Sequence, residues 1–460
     1  MKKSPFYQYM IRRIFLFLTI CLGFVACTDN DTFTTSQSAR LTFSSDSVKM
    51  DTVFSTVGSS TYTFWVFNNA SDGIRLKSVR LQLGNQTGFR VNVDGSYLDN
   101  ALGSVANDFE VRKGDSLRVF VELTAPENGQ TEAQLVEDDL VFALESGVEQ
   151  RVHLQAYTWD ALQLRDVRIS SDSLLSSVKP VVVYGGIRVD SAATLYIRNT
   201  TIFFHDKAGV DVYGCLDADS VTLRGDRLDH MFDYLPYDRI SGQWRGLHFY
   251  SSSTGNSLVN TEIRNTEDAI IIDSAALSPD NQRLYMERCV VHNCKGVGLK
   301  AVNAYVGAQY CQLTNTLGDC VAIHGGVAIF DHCTLAQFYP FSASRGAALR
   351  FTNFLNDYSL PLELFKLTNS IVTGYADDVV MGEMRDSTVA YNYYFENDVL
   401  RTPAVADSTR FTNITWEEPS DTTSGGKKLF VLIDEKNLKY DFHLDSLSTA
   451  KGKGCYDVEH

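Results

Sequence analysis

An all-β chain is predicted, in two parts: an antiparallel β-sandwich followed by a solenoid of parallel strands. Three observations predict it. Between Leu41 and Tyr157, segments such as TYTFWVFNN, FRVNV, DSLRVFVEL and EQRVHLQAY place apolar residues at every second position, with Gly, Asn or Asp turns between them. From Trp159 onward the pattern changes: Cys289, Cys311 and Cys333 recur at intervals of 22 residues, and Val291, Leu313 and Leu335 keep step. Across the 460 residues, 31 glycines against 9 prolines suit a chain with many tight turns.

In chain order, residues 1–27 read as a leader, because Lys2, Lys3, Arg12 and Arg13 precede the apolar run IFLFLTICLGFVA, which is too short to span a bilayer. Phe24-Val25-Ala26-Cys27 resembles the lipobox of bacterial lipoproteins. The resemblance implies cleavage before Cys27, acylation of its thiol, and an outer-membrane lipid anchor as the chain's link to the membrane. A plain cleavable signal is the alternative. Residues 28–40 form a polar tether, in which Asp29 and Asp31 resemble the acidic export signals of surface-exposed lipoproteins. That favours the cell surface over the periplasmic face.

Loss of the leader takes 41 basic residues to 37 against 56 acidic ones, a balance of −19. Such a surface repels phosphate backbones, so nucleic acid is excluded as a partner, while a polysaccharide or an envelope protein stays open. Nine cysteines become seven once Cys21 leaves and Cys27 is acylated, and an odd number cannot form a complete disulfide set within one chain. The pairing of Cys215, Cys294, Cys320 and Cys455 is open, and reduced thiols are expected in the 289, 311, 333 series.

Residues 41–158 resemble hydin-like (ASH-type) immunoglobulin domains in the order VFNNASDGIRLKSVRL, GFRVNV, KGDSLRVFVEL. The resemblance implies an immunoglobulin-like spacer with no catalytic residues. Residues 159–460 resemble the right-handed parallel β-helices of the pectin-lyase-like superfamily in the 22-residue spacing, the motif GQWRGLHF, and the closing segment YDFHLDSLSTAKGKG, taken as a terminal cap. Successive coils of such a fold lie about 4.8 Å apart. Equivalent residues therefore stack, with Cys289, Cys311 and Cys333 as a buried thiol column. Asn265, Asn293 and Asn315 form a second column, whose amides are expected to hydrogen-bond along the axis. Ile263 lies one coil earlier, and Ile371 is read as resuming the Leu335 row after an insertion.

Three motifs suggest chemistry. CVVHNC resembles a metal site, but on a strand Cys289 and His292 point to opposite faces, so no metal is assigned there. GDCVAIHGG resembles a segment of polygalacturonase-type hydrolases, yet Asp319 lacks a neighbouring second aspartate, and inverting hydrolysis needs two carboxylates. The Leu216 to Trp244 segment, read as a long loop, carries Asp226, Arg227, Asp229, Asp233, Tyr237 and Trp244, residue types that suit sugar hydroxyls and sugar faces. The same segment reads equally as a cover for the coil with Trp244 filling the core. No cofactor is indicated, and no spacing demands calcium. The leading functional expectation is a cell-envelope lipoprotein that binds glycan or a partner protein, or serves a structural role, without catalysis. The alternative is a polysaccharide lyase or glycoside hydrolase working from Asp319 or Asp229.

Overall fold

The computed structural model describes residues 32–230, 236–278, 281–420 and 424–456. Cys27 lies outside the described residues, as does Asp233. The chain divides into two compact units: residues through 50 with 56–126 and 135–156, and residues 51–55 and 127–134 with 157 onward.

The first part is antiparallel. One sheet has the order β1-β3-β8-β5-β6, with β1 Thr42–Phe43, β3 Tyr62–Phe67, β5 Phe89–Val93, β6 Ser96–Tyr97 and β8 Ser116–Leu123. The other has the order β2-β10-β9-β4-β7, with β2 Ser47–Phe54, β4 Ile74–Leu81, β7 Val105–Val111, β9 Gln134–Leu144 and β10 Glu149–Trp159. The alternation read in the sequence buries Val66, Val91, Val119, Val121 and Leu154 on the inner faces. In β4 the alternation skips a beat between Leu76 and Val79, where the pairing with β9 shifts register. A β-bulge there returns Val79 and Leu81 to the core.

The second part is a continuous parallel sheet wound into coils, each contributing strands to three columns. Register fixes the stack: Ile263 pairs with Val291, Val291 with Leu313, Leu313 with Leu335 and Leu335 with Val372. All five are fully buried. Val372, not Ile371, thus continues the row. The coil between them keeps its two regular strands, Leu349–Thr352 and Leu362–Thr368, but gains a small hairpin, Phe354–Leu355 with Tyr358–Ser359, so spacing alone misjudges the frame by one. Cys289, Cys311 and Cys333 are free and buried, with the Gln312 amide donating to the Cys289 carbonyl and the Thr334 amide to the Cys311 carbonyl. The column continues as Ser370, whose hydroxyl accepts the Cys333 amide, and ends at Asp398.

Two bends of the coil use left-handed backbone in several successive turns, a conformation that asparagine tolerates better than most residues. Asn265, Asn293 and Asn315 occupy one such bend at φ 65°, 61° and 56°. Their amides do not form the expected axial ladder. The left-handed backbone turns Asn265 and Asn293 toward a neighbouring loop, where they donate to the carbonyls of Ile240 (3.0 Å) and Arg239 (2.5 Å), while Asn315 accepts the Phe338 amide (3.1 Å). The amide ladder sits at the other bend: Asn413 donates to Asn397 (2.7 Å), Asn397 to Asn369 (2.6 Å) and Asn369 to Asp331 (2.9 Å). In GQWRGLHF, Gly246 has φ +92°, and a Cβ there would lie 1.8 Å from the Asp268 carbonyl oxygen, so no other residue fits.

The C-terminal segment forms a hairpin, Phe430–Asp434 with Lys439–Leu444. It does not cap the end of the stack. Phe430 and Phe442 pack with Ala336, Phe338, Ile371 and Val399 on the flank of the coil, because these outward positions are apolar where the cleft-side positions are polar.

Asp398 carries a consequence for stability. Its carboxylate is fully buried and accepts the amides of Ser370 (2.7 Å) and Glu396 (3.1 Å), yet burial outweighs these bonds and pushes its pKa up to about 8. The folded protein holds this proton more tightly than the unfolded chain, whose carboxyl titrates at about 3.9. The group's contribution to stability is therefore fully present below about pH 4 and is lost as pH rises through about 8. Asp398→Asn is expected to flatten the decline in unfolding free energy between pH 5 and 8, by on the order of a few kcal/mol, in denaturant titrations at stepped pH.

Candidate functional site

The segment expected to be a long loop starts as structure. Cys215–Gly225 is a strand of the coil, and Leu216, Ala218, Val221 and Leu223 fill the core. Beyond it, Asp226 faces His205 Nδ1 at 2.6 Å, and burial raises its pKa against that pairing. Arg227 makes two bonds to Asp229, at 2.7 and 2.8 Å, and lies 3.9 Å from the Tyr237 ring centroid. These three groups satisfy one another. Trp244 is 1% exposed, stacks on Phe204 at 4.2 Å, and donates its indole N–H to the Arg264 carbonyl (2.9 Å). It is core, and no sugar face can reach it.

Asp319 is also engaged. One oxygen accepts the Ala347 amide (2.7 Å) and the other the Arg350 Nε–H (2.7 Å), so it braces the coil. Cys289 belongs to the hydrophobic core cluster, whereas His292 lies on the opposite, outward side. Among the described residues no group of three or more His, Cys, Asp or Glu is arranged to hold a metal ion.

A cavity lies on that outward side, over the strands that bury Ile263, Val291 and Leu313. Alternation puts their neighbours outside: Glu262, Val290 and Gln312 form one row, Arg264 and His292 the next. Asp238–Arg239, Pro340–Phe341 and the hairpin residues Leu438 and Tyr440–His443 wall it, enclosing about 570 Å³. A smaller cavity of about 300 Å³ shares Arg239, Pro340, Phe341 and Leu438 with it.

The wall is held by local bonds. Tyr456 donates its hydroxyl to Gln312 Oε1 (2.7 Å), Gln312 donates to Thr314 Oγ1 (2.8 Å), and His292 Nδ1 meets the same hydroxyl at 2.8 Å. The His292 ring lies 5.2 Å from that of Tyr440. Burial, then the nearby Arg264 charge, lowers the His292 pKa to about 3, so the imidazole is neutral at physiological pH. Arg264 pairs with Glu262, and burial followed by the Arg224 charge lowers its pKa to about 10. Burial acts to raise the Asp441 pKa, but the amide and ring of His443, the latter at 2.6 Å, hold it below the ordinary carboxylate range. Four buried polar atoms of this wall have no hydrogen-bond partner: Arg264 Nε, Asn265 Oδ1, the Tyr440 hydroxyl, and Asp238 Oδ1, which has only an ion contact with His230.

Of these residues, His292, Asn265 and Asn293 stood out in the sequence for other reasons, and Tyr440 to His443 only as part of the closing segment, whereas Glu262, Arg264 and Gln312 did not. The available signal was the frame itself: once Ile263, Val291 and Leu313 are placed inside, the residues beside them must face out.

Residues 159–339 match the family model described as a right-handed β-helix region. The solenoid is a right-handed β-helix. Among solved structures, the catalytic domain of a GH87 alpha-1,3-glucanase in complex with nigerose is similar over 78% of this chain and 88% of that one, at 9% identity and TM-score 0.30. The ASH/PapD-like domain of human CEP192 is similar over 28% of this chain and 90% of that one, at 11% identity and TM-score 0.18. A family 123 glycoside hydrolase from Clostridium perfringens shares 5% identity over 28% of this chain at TM-score 0.19, and this chain covers 31% of that enzyme's length. No curated protein matches the chain.

Trp244→Ala is expected to cost about 3–5 kcal/mol of β-helix stability, as emptying a buried aromatic site does. Arg227→Ala is expected to cost less than about 1 kcal/mol, since its ion pair is partly exposed. Denaturant unfolding of both variants checks the contrast.

Proposed function

We propose that this protein is a cell-envelope lipoprotein, anchored through acylated Cys27 and facing the cell surface, whose β-helix binds a glycan in the cleft without chemistry. The observation that carries the reading is the cleft wall. Phe341 and Tyr440 supply aromatic surface, Arg264 Nε, Asn265 Oδ1 and the Tyr440 hydroxyl supply hydrogen-bonding groups without a partner, and Gln312, tied to Tyr456 and Thr314, holds the floor between them. A concave site with apolar walls and a few convergent polar groups is the common form of a small-ligand pocket. An unpaired buried polar atom costs roughly 1–3 kcal/mol, and a ligand rich in hydroxyls offsets that cost.

Hydrolysis is disfavoured by the state of the carboxylates. A general acid for glycosidic cleavage must stay protonated near neutral pH. Of the described cleft carboxylates, Asp441 is held on the ionised side, while Glu262 and Asp238 are engaged by Arg264 and His230; Asp319, outside the cleft, is engaged by the Ala347 amide and Arg350. The tether and lipobox support an envelope address.

A panel of plant, host and microbial polysaccharides, assayed for both binding and product release, tests the reading. Expected is saturable binding with no unsaturated or reducing ends released, weakened at least tenfold in Gln312→Ala. Release of such ends, abolished by Asp229→Asn or Asp319→Asn, would overturn it in favour of a lyase or hydrolase.

A further inference from the structure

We infer that the cleft takes an uncharged oligosaccharide and discriminates against uronates and other ionised sugars. This rests on the proposal that the cleft binds glycan, and it follows from how the charges of the wall are already used. Glu262 and Arg264 pair with each other. Asp441 lies 2.6 Å from the His443 ring. Asp238 has one oxygen 2.8 Å from His230 Nε2 and the other 3.5 Å from Arg239 Nε, and Arg239 also donates to the Asn437 carbonyl (2.9 Å). His292 is neutral for the reason given above. Among the described residues each lining arginine already faces a carboxylate, and three of the lining groups are themselves carboxylates.

A ligand anion entering this cleft loses water without gaining a counter-ion, which is the costly case for a buried charge. Its hydrogen-bonding capacity is also wrong. A carboxylate only accepts, whereas Asn265 Oδ1 is an unpaired acceptor that needs a donor, beside the unpaired Arg264 Nε–H donor. A sugar hydroxyl donates and accepts at once and serves both as the wall relaxes around it. The Tyr440 hydroxyl can take either role. The net charge of −15 on the whole chain acts in the same direction on approach.

The test uses the full chain in detergent on an array of neutral and acidic oligosaccharides that includes cellohexaose, maltohexaose and hexagalacturonate. The tightest neutral binder is then compared by calorimetry with its own form oxidised at the primary hydroxyls to uronate. Expected are neutral hits, with the oxidised form at least tenfold weaker. Glu262→Gln frees the Arg264 guanidinium and is expected to narrow that gap. Acidic hits that bind as tightly or more tightly, and are weakened by Gln312→Ala, would overturn the inference and leave the cleft reading standing. Binding to no member of the array, or binding indifferent to Gln312→Ala, would overturn the reading and the inference together. The wild-type comparison decides the matter even if a variant fails to fold.

Discussion

Parallel hydrogen bonding between successive coils is the constraint on which the second part of this protein depends. Each coil must lay its strands at the ordinary spacing from the one before, so every position meets its own equivalent above and below. Side chains that suit such a stack are the ones that tolerate their own kind as neighbours. Aliphatic rows do so by burial, as Ile263, Val291, Leu313, Leu335 and Val372 show, and small thiols do so in the column through Cys289, Cys311 and Cys333. Bends recur at fixed places for the same reason. Left-handed residues from Asn260 to Asn413 mark one bend coil after coil, and asparagine is frequent there because its backbone accepts that conformation.

The cleft is a by-product of the same constraint put to use. A strand that buries one face must show the other, and over three neighbouring coils that other face is polar. Farther along the flank the outward residues become Ala336, Phe338, Ile371 and Val399, and there the C-terminal hairpin packs down. One hairpin therefore both seals an apolar stretch and overhangs a polar one. The scaffold beneath is a continuous hydrogen-bonded parallel sheet, and the binding role proposed above calls for groups held in place before a ligand arrives. Most of its charged groups face one another: Glu262 with Arg264, Asp441 with His443 and Asp238 with His230.

The architecture was legible because repetition writes itself into sequence. Spacing of 22 residues placed the thiol column, the alternating segments placed the sandwich, and the strand argument separated Cys289 from His292. Where the period is interrupted, spacing lost the frame by one residue at Ile371, since a hairpin is inserted between the regular strands of that coil. Composition misled in the Leu216 to Trp244 segment. Its polar residues alternate with core residues of a strand, and Trp244, attractive as a sugar platform, serves the interior because Phe204 lies beside it. The cleft could not be read by eye, for it joins Asp238, His292, Gln312 and Tyr440 from distant stretches. Tyr456 reaches Gln312 across 144 residues, a distance no local pattern encodes.

Locating the cysteine sulfurs by their anomalous scattering from crystals of the protein tests the stacked-coil account most directly. The account predicts that Cys289, Cys311 and Cys333 appear as a row of separate sulfurs with neighbours about 5 Å apart. Sulfurs scattered through the unit, joined in disulfides, or gathered around an ion would contradict it.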